Sequence, residues 1–221
     1  MTRTDYAHQI ELLRGSVVAM SSMVDKSIER SMDALRRQDT DLARAVTAAD
    51  GAINENRWKI EEQALTIIAT QAPMASDLRQ ILSAISIVTD MERMADHAAG
   101  IAKIVLQTAG EPPLKPLVDL PRMSDIARRM LADAIGAYIT NDAVSARDVA
   151  DRDDELDDLY NQIYRELLTY MMADPGTINR ATHLLWVAHN LERIGDRVTN
   201  ICERVVFAVT GDMREFSVSM R

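Results

Sequence analysis

Aromatic residues make up only 4% of this 221-residue chain. Its core must therefore be built from Leu, Ile, Val, Ala and Met, and a hydrophobic content of 47% supplies enough of them. Glycine (8 residues) and proline (6) are scarce, and the stretches Ser16 to Asp50 and Ala137 to Asp174 contain neither. That excludes a fold of many short strands and turns and favours long helices. A lone Cys202 excludes an internal disulfide framework, and its place on an apolar stripe reads as a small buried hydrophobe. No run of 18 apolar residues is present, so no transmembrane helix is expected. The charged start, MTRTDYAHQIELLRG, lacks the apolar centre of a signal peptide. Positive charge is in deficit: the formal net charge is -9. Such a surface repels phosphate backbones, which excludes nucleic-acid binding as the main role. The expectation is an acidic, cytoplasmic, all-α protein.

Breakers divide the chain into long segments. Helices are expected at about 5–38, from Asp39 or Thr40 to about Thr70, and from a cap at Ser76 or a neighbour to about Ala109. In the second, Val46, Ile53, Ile60 and Ile67 recur every seven residues, a helical seam. The segment GEPPLKPLVDLPR, Gly110 to Arg122, holds four of the six prolines and reads as an extended linker. Three further helices are expected: about Met123 to Thr140, Ala143 to Ala173, and Thr177 to Thr210. The tail MREFSVSMR reads as frayed. The expected division is a first three-helix bundle at 1–109, a linker at 110–122 and a second three-helix bundle at 123–221. The halves also resemble each other: VTAADGAIN (46–54) aligns with VADRDDELD (149–157), and DMERMADHAAGI (90–101) with NLERIGDRVTNI (190–201).

Each half therefore carries Glu-x-x-x-Asp on its last helix, as Glu92/Asp96 and Glu192/Asp196. One helical turn separates the two acids, and the pair borders the apolar stripe. In the second half, Asn200 and Glu203 continue the line. The preceding helix of each half adds oxygen donors at matching positions: Asp50 and Asn54, then Asp153 and Asp157. Clusters of carboxylate and amide oxygens suit hard cations. The competing reading is a set of surface ion pairs, since Arg93 and Arg193 lie three residues before Asp96 and Asp196. Spacing leaves both readings open. Glu-x-x-His and His-Glu-x-x-His motifs of helical metal enzymes are missing, no Cys pair offers a zinc site, and no glycine-rich phosphate loop appears. Nothing in the motifs supports a catalytic role. His189, one turn before Glu192, could join a site or serve as a surface residue.

These residues resemble a known family. From about Tyr6 to Thr210 the chain is similar to the PhoU family of bacterial phosphate-transport and phosphate-signalling regulators. The resemblance rests on QAPMASDLRQILSAISIVTDMERMADHAAGIA (71–102) and on the segment Asp153 to Glu203, with its LERIGD motif. It implies two tandem, similar three-helix bundles and no enzymatic activity. It implies bound metal ions, iron or zinc foremost, with manganese or magnesium as alternatives. The implied ligands are Glu92, Asp96, Glu192, Asp196 and Asn200, with Asp50, Asn54, Asp153 and Asp157 on the preceding helices. It further implies a homodimeric, peripheral adaptor between a phosphate ABC transporter ATPase and a sensor histidine kinase, repressing the starvation response when phosphate is plentiful. The first copy departs from the family pattern: Ala95 stands for Gly195, Gly100 for Asn200 and Asn54 for Asp157. The first site is therefore expected to bind metal more weakly.

Overall fold

A computed structural model describes residues 3–212. The tail expected to fray, 213–221, lies outside them. The described residues form seven α-helices and one 3-10 turn: α1 (Arg3–Arg37), α2 (Thr40–Gln71), α3 (Ser76–Gln107), α4 (Asp119–Thr140), α5 (Ala143–Ala150), α6 (Asp153–Ala173), the turn Pro175–Thr177 and α7 (Ile178–Thr210).

Local chemistry sets most of these boundaries. Asp39 caps α2, its side chain accepting hydrogen bonds from the Asp41 and Leu42 amides. Asp142 caps α5 in the same way through Val144 and Ser145. At the start of α3 the cap is Ala75, which offers no side-chain acceptor; Ala72 and Ala75 both take positive φ in this turn. Helix α4 begins at Asp119, four residues before the expected start at Met123. Pro121 does not prevent this, because a proline in the first turn forfeits no intrahelical hydrogen bond. The single helix expected from Ala143 to Ala173 is interrupted at Asp151 and Arg152. There the Arg152 amide bonds back to the Val149 carbonyl, three residues away, and the chain restarts as α6. Asp153, Asp154 and Glu155 thus occupy the first turn of a new helix, whose positive end favours their charge.

Helices α1–α3 pack together, as do α4–α7, and the largest interface in the molecule joins α3 to α7. A second contact joins α1 to α4. The buried side chains form one continuous core through both halves. The heptad residues Val46, Ile53, Ile60 and Ile67 are all buried. In α3 and α7 the apolar surface is wider than a single stripe. Ile87, Met94 and Ile101, and at matching positions Val187, Ile194 and Ile201, are fully buried as well. Packing on two sides demands that second line.

The α3–α7 seam runs antiparallel and is pinned by polar groups. Ser83 donates to the Arg204 carbonyl at 2.9 Å. Asn200 Nδ2 and Arg197 donate to Asp90 Oδ1 at 3.2 and 3.5 Å. At the pseudo-symmetric place, His97 Nδ1 and Asn190 Oδ1 lie 3.0 Å apart, and Gly100 faces the same Asn190. One end of the seam is thus charged and the other neutral.

Candidate metal centre

The second half gathers four carboxylates at the junction of α6 and α7. Asp153 and Asp157 lie one turn apart at the start of α6, and Glu192 and Asp196 one turn apart on α7. Close approach of the two helices depends on Gly195. A Cβ there would stand 2.5 Å from Leu156 Cδ1 and 2.6 Å from Asp153 Oδ1. The missing side chain lets Asp153 sit against α7. Burial and the neighbouring Asp196, Asp157 and Glu192 charges push Asp153 up to about 7. Burial and Asp196 likewise push Glu192 up to about 7, against the pull of Arg193. Asp157 is raised by burial and by Asp196. One oxygen of Glu192, Oε2, is buried without a hydrogen bond, with His189 Nδ1 3.6 Å away.

The first half repeats the arrangement with less charge. Asp50 and Asn54 on α2 face Glu92 and Asp96 on α3. Asn54 Nδ2 donates to Asp50 Oδ2 at 3.4 Å, while Asp50 Oδ1 is buried and unpartnered. Asp50 is raised by burial and Asp96, with Lys103 opposing. Glu92 is raised by burial and Asp96, with Arg57 and Arg93 opposing.

The two readings that spacing left open are both represented. Arg193 holds Asp196 in an ion pair of 2.6 Å, as the surface-pair reading requires. The other acids crowd one another instead. In donor type and charge they suit a cation: the ligands are oxygens, one in each half is orphaned, and the neighbouring Arg and Lys charges offset their mutual repulsion only in part. Among the described residues, however, no three His, Cys, Asp or Glu side chains converge closely enough to enclose an ion. Asn200, one of the implied ligands, pairs with Asp90 across the seam. The Asn200/Gly100 difference accordingly distinguishes the two ends of the seam. The charge difference between the halves rests on Asp157 against Asn54.

Cys202 is fully buried, and burial pushes its thiol up to about 12, which suits the expected structural role. The Asp90–Arg197 pair was not anticipated. Its partners lie 107 positions apart, so no local pattern announces it.

Comparison with known proteins agrees with this architecture. The family model described as "PhoU domain" matches twice, at residues 17–105 and 120–205, once in each bundle. The chain is 37% identical over 212 residues to the phosphate-specific transport system accessory protein PhoU homolog of Clostridium acetobutylicum, covering 96% of this chain and 97% of that one. It is 41% identical to the Caulobacter vibrioides protein of the same description, covering 96% and 92%. The crystal structure of the phosphate transport system regulatory protein PhoU from Streptococcus pneumoniae superposes with a TM-score of 0.89 at 32% identity, over 96% of this chain and all of the other. The structure of PhoU from Pseudomonas aeruginosa gives the same TM-score at 34% identity, over 94% of this chain and all of that one. With both bundles matched and nearly the full length of each relative covered, the chain belongs to the PhoU family.

Proposed function

We propose that this protein is a non-catalytic regulator of phosphate uptake and of the phosphate-starvation response. It acts as an adaptor between a phosphate ABC transporter ATPase and a sensor histidine kinase, and keeps the response off when phosphate is plentiful. The observation that carries the reading is the double family match, which spans both bundles and both carboxylate groups. The relatives' descriptions name phosphate-specific transport. The adaptor meets the membrane complex peripherally, at the cytoplasmic face; no helix among the described residues is long and apolar enough to cross a membrane. The protein works as a homodimer. Deleting its gene should raise starvation-gene expression in high phosphate, and membrane pull-downs should recover the kinase and the ATPase. Unchanged expression together with an empty pull-down would refute the adaptor role.

The same reading gives each carboxylate group a metal ion, iron or zinc before manganese or magnesium. Asp153, Asp157, Glu192 and Asp196 hold it in the second half, and Asp50, Asn54, Glu92 and Asp96 in the first. Supporting this are the orphaned oxygens of Asp50 and Glu192 and the mutual repulsion of the acids. A cation supplies the positive charge these groups lack. The second group, with four carboxylates against three, binds more tightly. Metal content of protein purified without chelator, compared between Asp196→Ala and Asp96→Ala, tests this directly. Metal at background in the unsubstituted protein would rule it out.

A further inference from the structure

The linker and the ends of α1, α3 and α7 enclose a cavity of about 200 Å³. Its apolar wall is Leu35 from α1, Ile104 from α3, Leu184 from α7, and Leu114 and Leu117 from the linker. Pro112, Pro113 and Pro116 complete it, and their rings fix the linker backbone. Interiors normally close such space, because wetted apolar surface and missing contacts both cost free energy. The repeat shows the closed alternative. The offset that relates DMERMAD to NLERIGD matches His183 to Ser83, Ile104 to Arg204, Leu184 to Ala84 and Arg180 to Gln80. At that end of the seam Ser83 donates directly to the Arg204 carbonyl at 2.9 Å, Ala84 is fully buried, and Gln80 accepts from Arg14 at 2.9 Å.

Basic side chains gather at this cavity although the chain as a whole is acidic: Arg36, Lys115, Arg180 and His183 all line it. Two of them are already matched. Lys115 pairs with Glu166 and with Asp119, and Arg36 pairs with Asp33 at 2.8 Å. Arg180 differs. Its Nη1 donates to the Pro112 carbonyl at a long 3.4 Å, and among the described residues no carboxylate pairs with it. His183 Nδ1 is buried with no hydrogen bond. With no acceptor for Nδ1, the proton of the neutral ring belongs on Nε2, which becomes a donor. Glu111, exposed at the mouth, repels a second negative charge. One guanidinium, one imidazole N–H and an apolar wall match a single carboxylate carried on an apolar body.

We propose that this cavity is a binding site for a small amphipathic carboxylate. The apolar body lies against the leucines, and the carboxylate meets Arg180 and His183 Nε2. An apolar cavity of about 150 Å³ admits benzene, so a ring or a medium-length alkyl chain fits here. The ligand touches α1 and α3 of the first half, α7 of the second and the linker at once, so its binding stabilises the junction of the halves. The site uses none of the carboxylates assigned to the metal ions and does not depend on the phosphate reading.

The test uses the purified full chain and octanoate as the probe, with octanol and acetate as comparisons. Octanol has the body without the charge, and acetate the head without the body. Calorimetry and thermal unfolding read the binding. Octanoate should bind at one site with a dissociation constant at or below about 1 mM and raise Tm, and each comparison should bind at least about tenfold more weakly. These arms use the unsubstituted protein, so they hold whether or not a variant folds. Arg180→Gln, which copies the first half at a half-buried position, should lower octanoate affinity about tenfold and leave octanol unchanged. Lys59→Gln, the same charge change at an exposed residue far along α2, should leave octanoate unchanged. No saturable octanoate binding, octanol binding as tightly as octanoate, or equal losses at Lys59 and Arg180 would overturn the proposal.

Discussion

Replacing Gly195 by alanine puts the packing argument at the second carboxylate group to a quantitative test. In an unobstructed helix the change stabilises, because alanine loses less backbone entropy on folding, by about 0.5–1 kcal/mol. At Gly195 the new methyl would meet Leu156 Cδ1 at 2.5 Å and Asp153 Oδ1 at 2.6 Å. Asp153 can turn away, but Leu156 is fully enclosed and can move only by displacing its neighbours. Overpacking of this kind costs about 1–3 kcal/mol. Subtracting the helix gain leaves a net loss of about 0–2.5 kcal/mol, or a fall of up to several degrees in Tm for a chain of this size, at about 2–4 °C per kcal/mol. Gly51 and Gly136 are the controls: each is helical, and nothing lies within 4 Å of an added Cβ. Alanine at either should stabilise by about 0.5–1 kcal/mol. Urea unfolding followed by circular dichroism reads all three. A gain at Gly195 equal to that at Gly51 would refute the claim that α6 and α7 touch there. Because Asp153 is one of the atoms displaced, the variant should also bind less metal in the second half.

Further outcomes follow from the charges. Asp153 and Glu192 have folded values near 7, while the unfolded chain titrates near 4. Between those values the folded state holds more protons at these two groups than the unfolded one, so their contribution to stability is fully present below about pH 4 and is lost as the pH rises to about 7. The loss is on the order of 3 kcal/mol, shared by a coupled pair. Asp153→Asn should therefore stabilise metal-free protein at pH 8 and make little difference at pH 4; no gain at pH 8 would contradict the crowding. Arg197→Met should destabilise by about 1–3 kcal/mol, because it leaves Asn200 as the one hydrogen-bond donor to the partly buried Asp90 carboxylate; a denaturation midpoint equal to the parent's would show that the pair contributes nothing. Thiol titration should find Cys202 unreactive in the folded protein at pH 8 and reactive in urea, whereas fast native labelling would place it nearer the surface than the core.

The sequence carried the architecture because the signals were local and repeated. The seven-residue recurrence from Val46 to Ile67 and the proline cluster after Gly110 each report on neighbours a few residues away. The interruption at Asp151 and Arg152 was not readable, since neither residue is a breaker and the amphipathic pattern continues through it. The paired carboxylates were visible as two turns on matching helices. The groups they face were legible too, as Asp50/Asn54 and Asp153/Asp157 at matching positions of the preceding helices; how deeply they are buried together was not, because each cluster closes between helices about 40 residues apart in sequence. Position 200 illustrates the difficulty. It lies one turn beyond Asp196 and continues the ligand line on a helical wheel, yet its amide reaches α3. A wheel gives the side of a helix but not the neighbour on that side. The same reasoning applies to Ile194 and Ile201, whose burial follows from a second packed face that a single stripe does not reveal.

The unequal ends of the α3–α7 seam bear on how a duplicated chain avoids pairing with itself. Two bundles of such similar shape could in principle associate α3 with α3, or α7 with α7, between separate molecules. In the first case each Asp90 would face His97 and Gly100 and lose the Arg197 and Asn200 donors. In the second, each Arg197 would face Asn190, with no carboxylate. Only the unlike pairing brings Asp90 to Arg197 and Asn200, and leaves Asn190 to His97. One ion pair at a near-symmetric boundary thus acts as a mating code, steering each first half toward its own second half and away from exchange between copies.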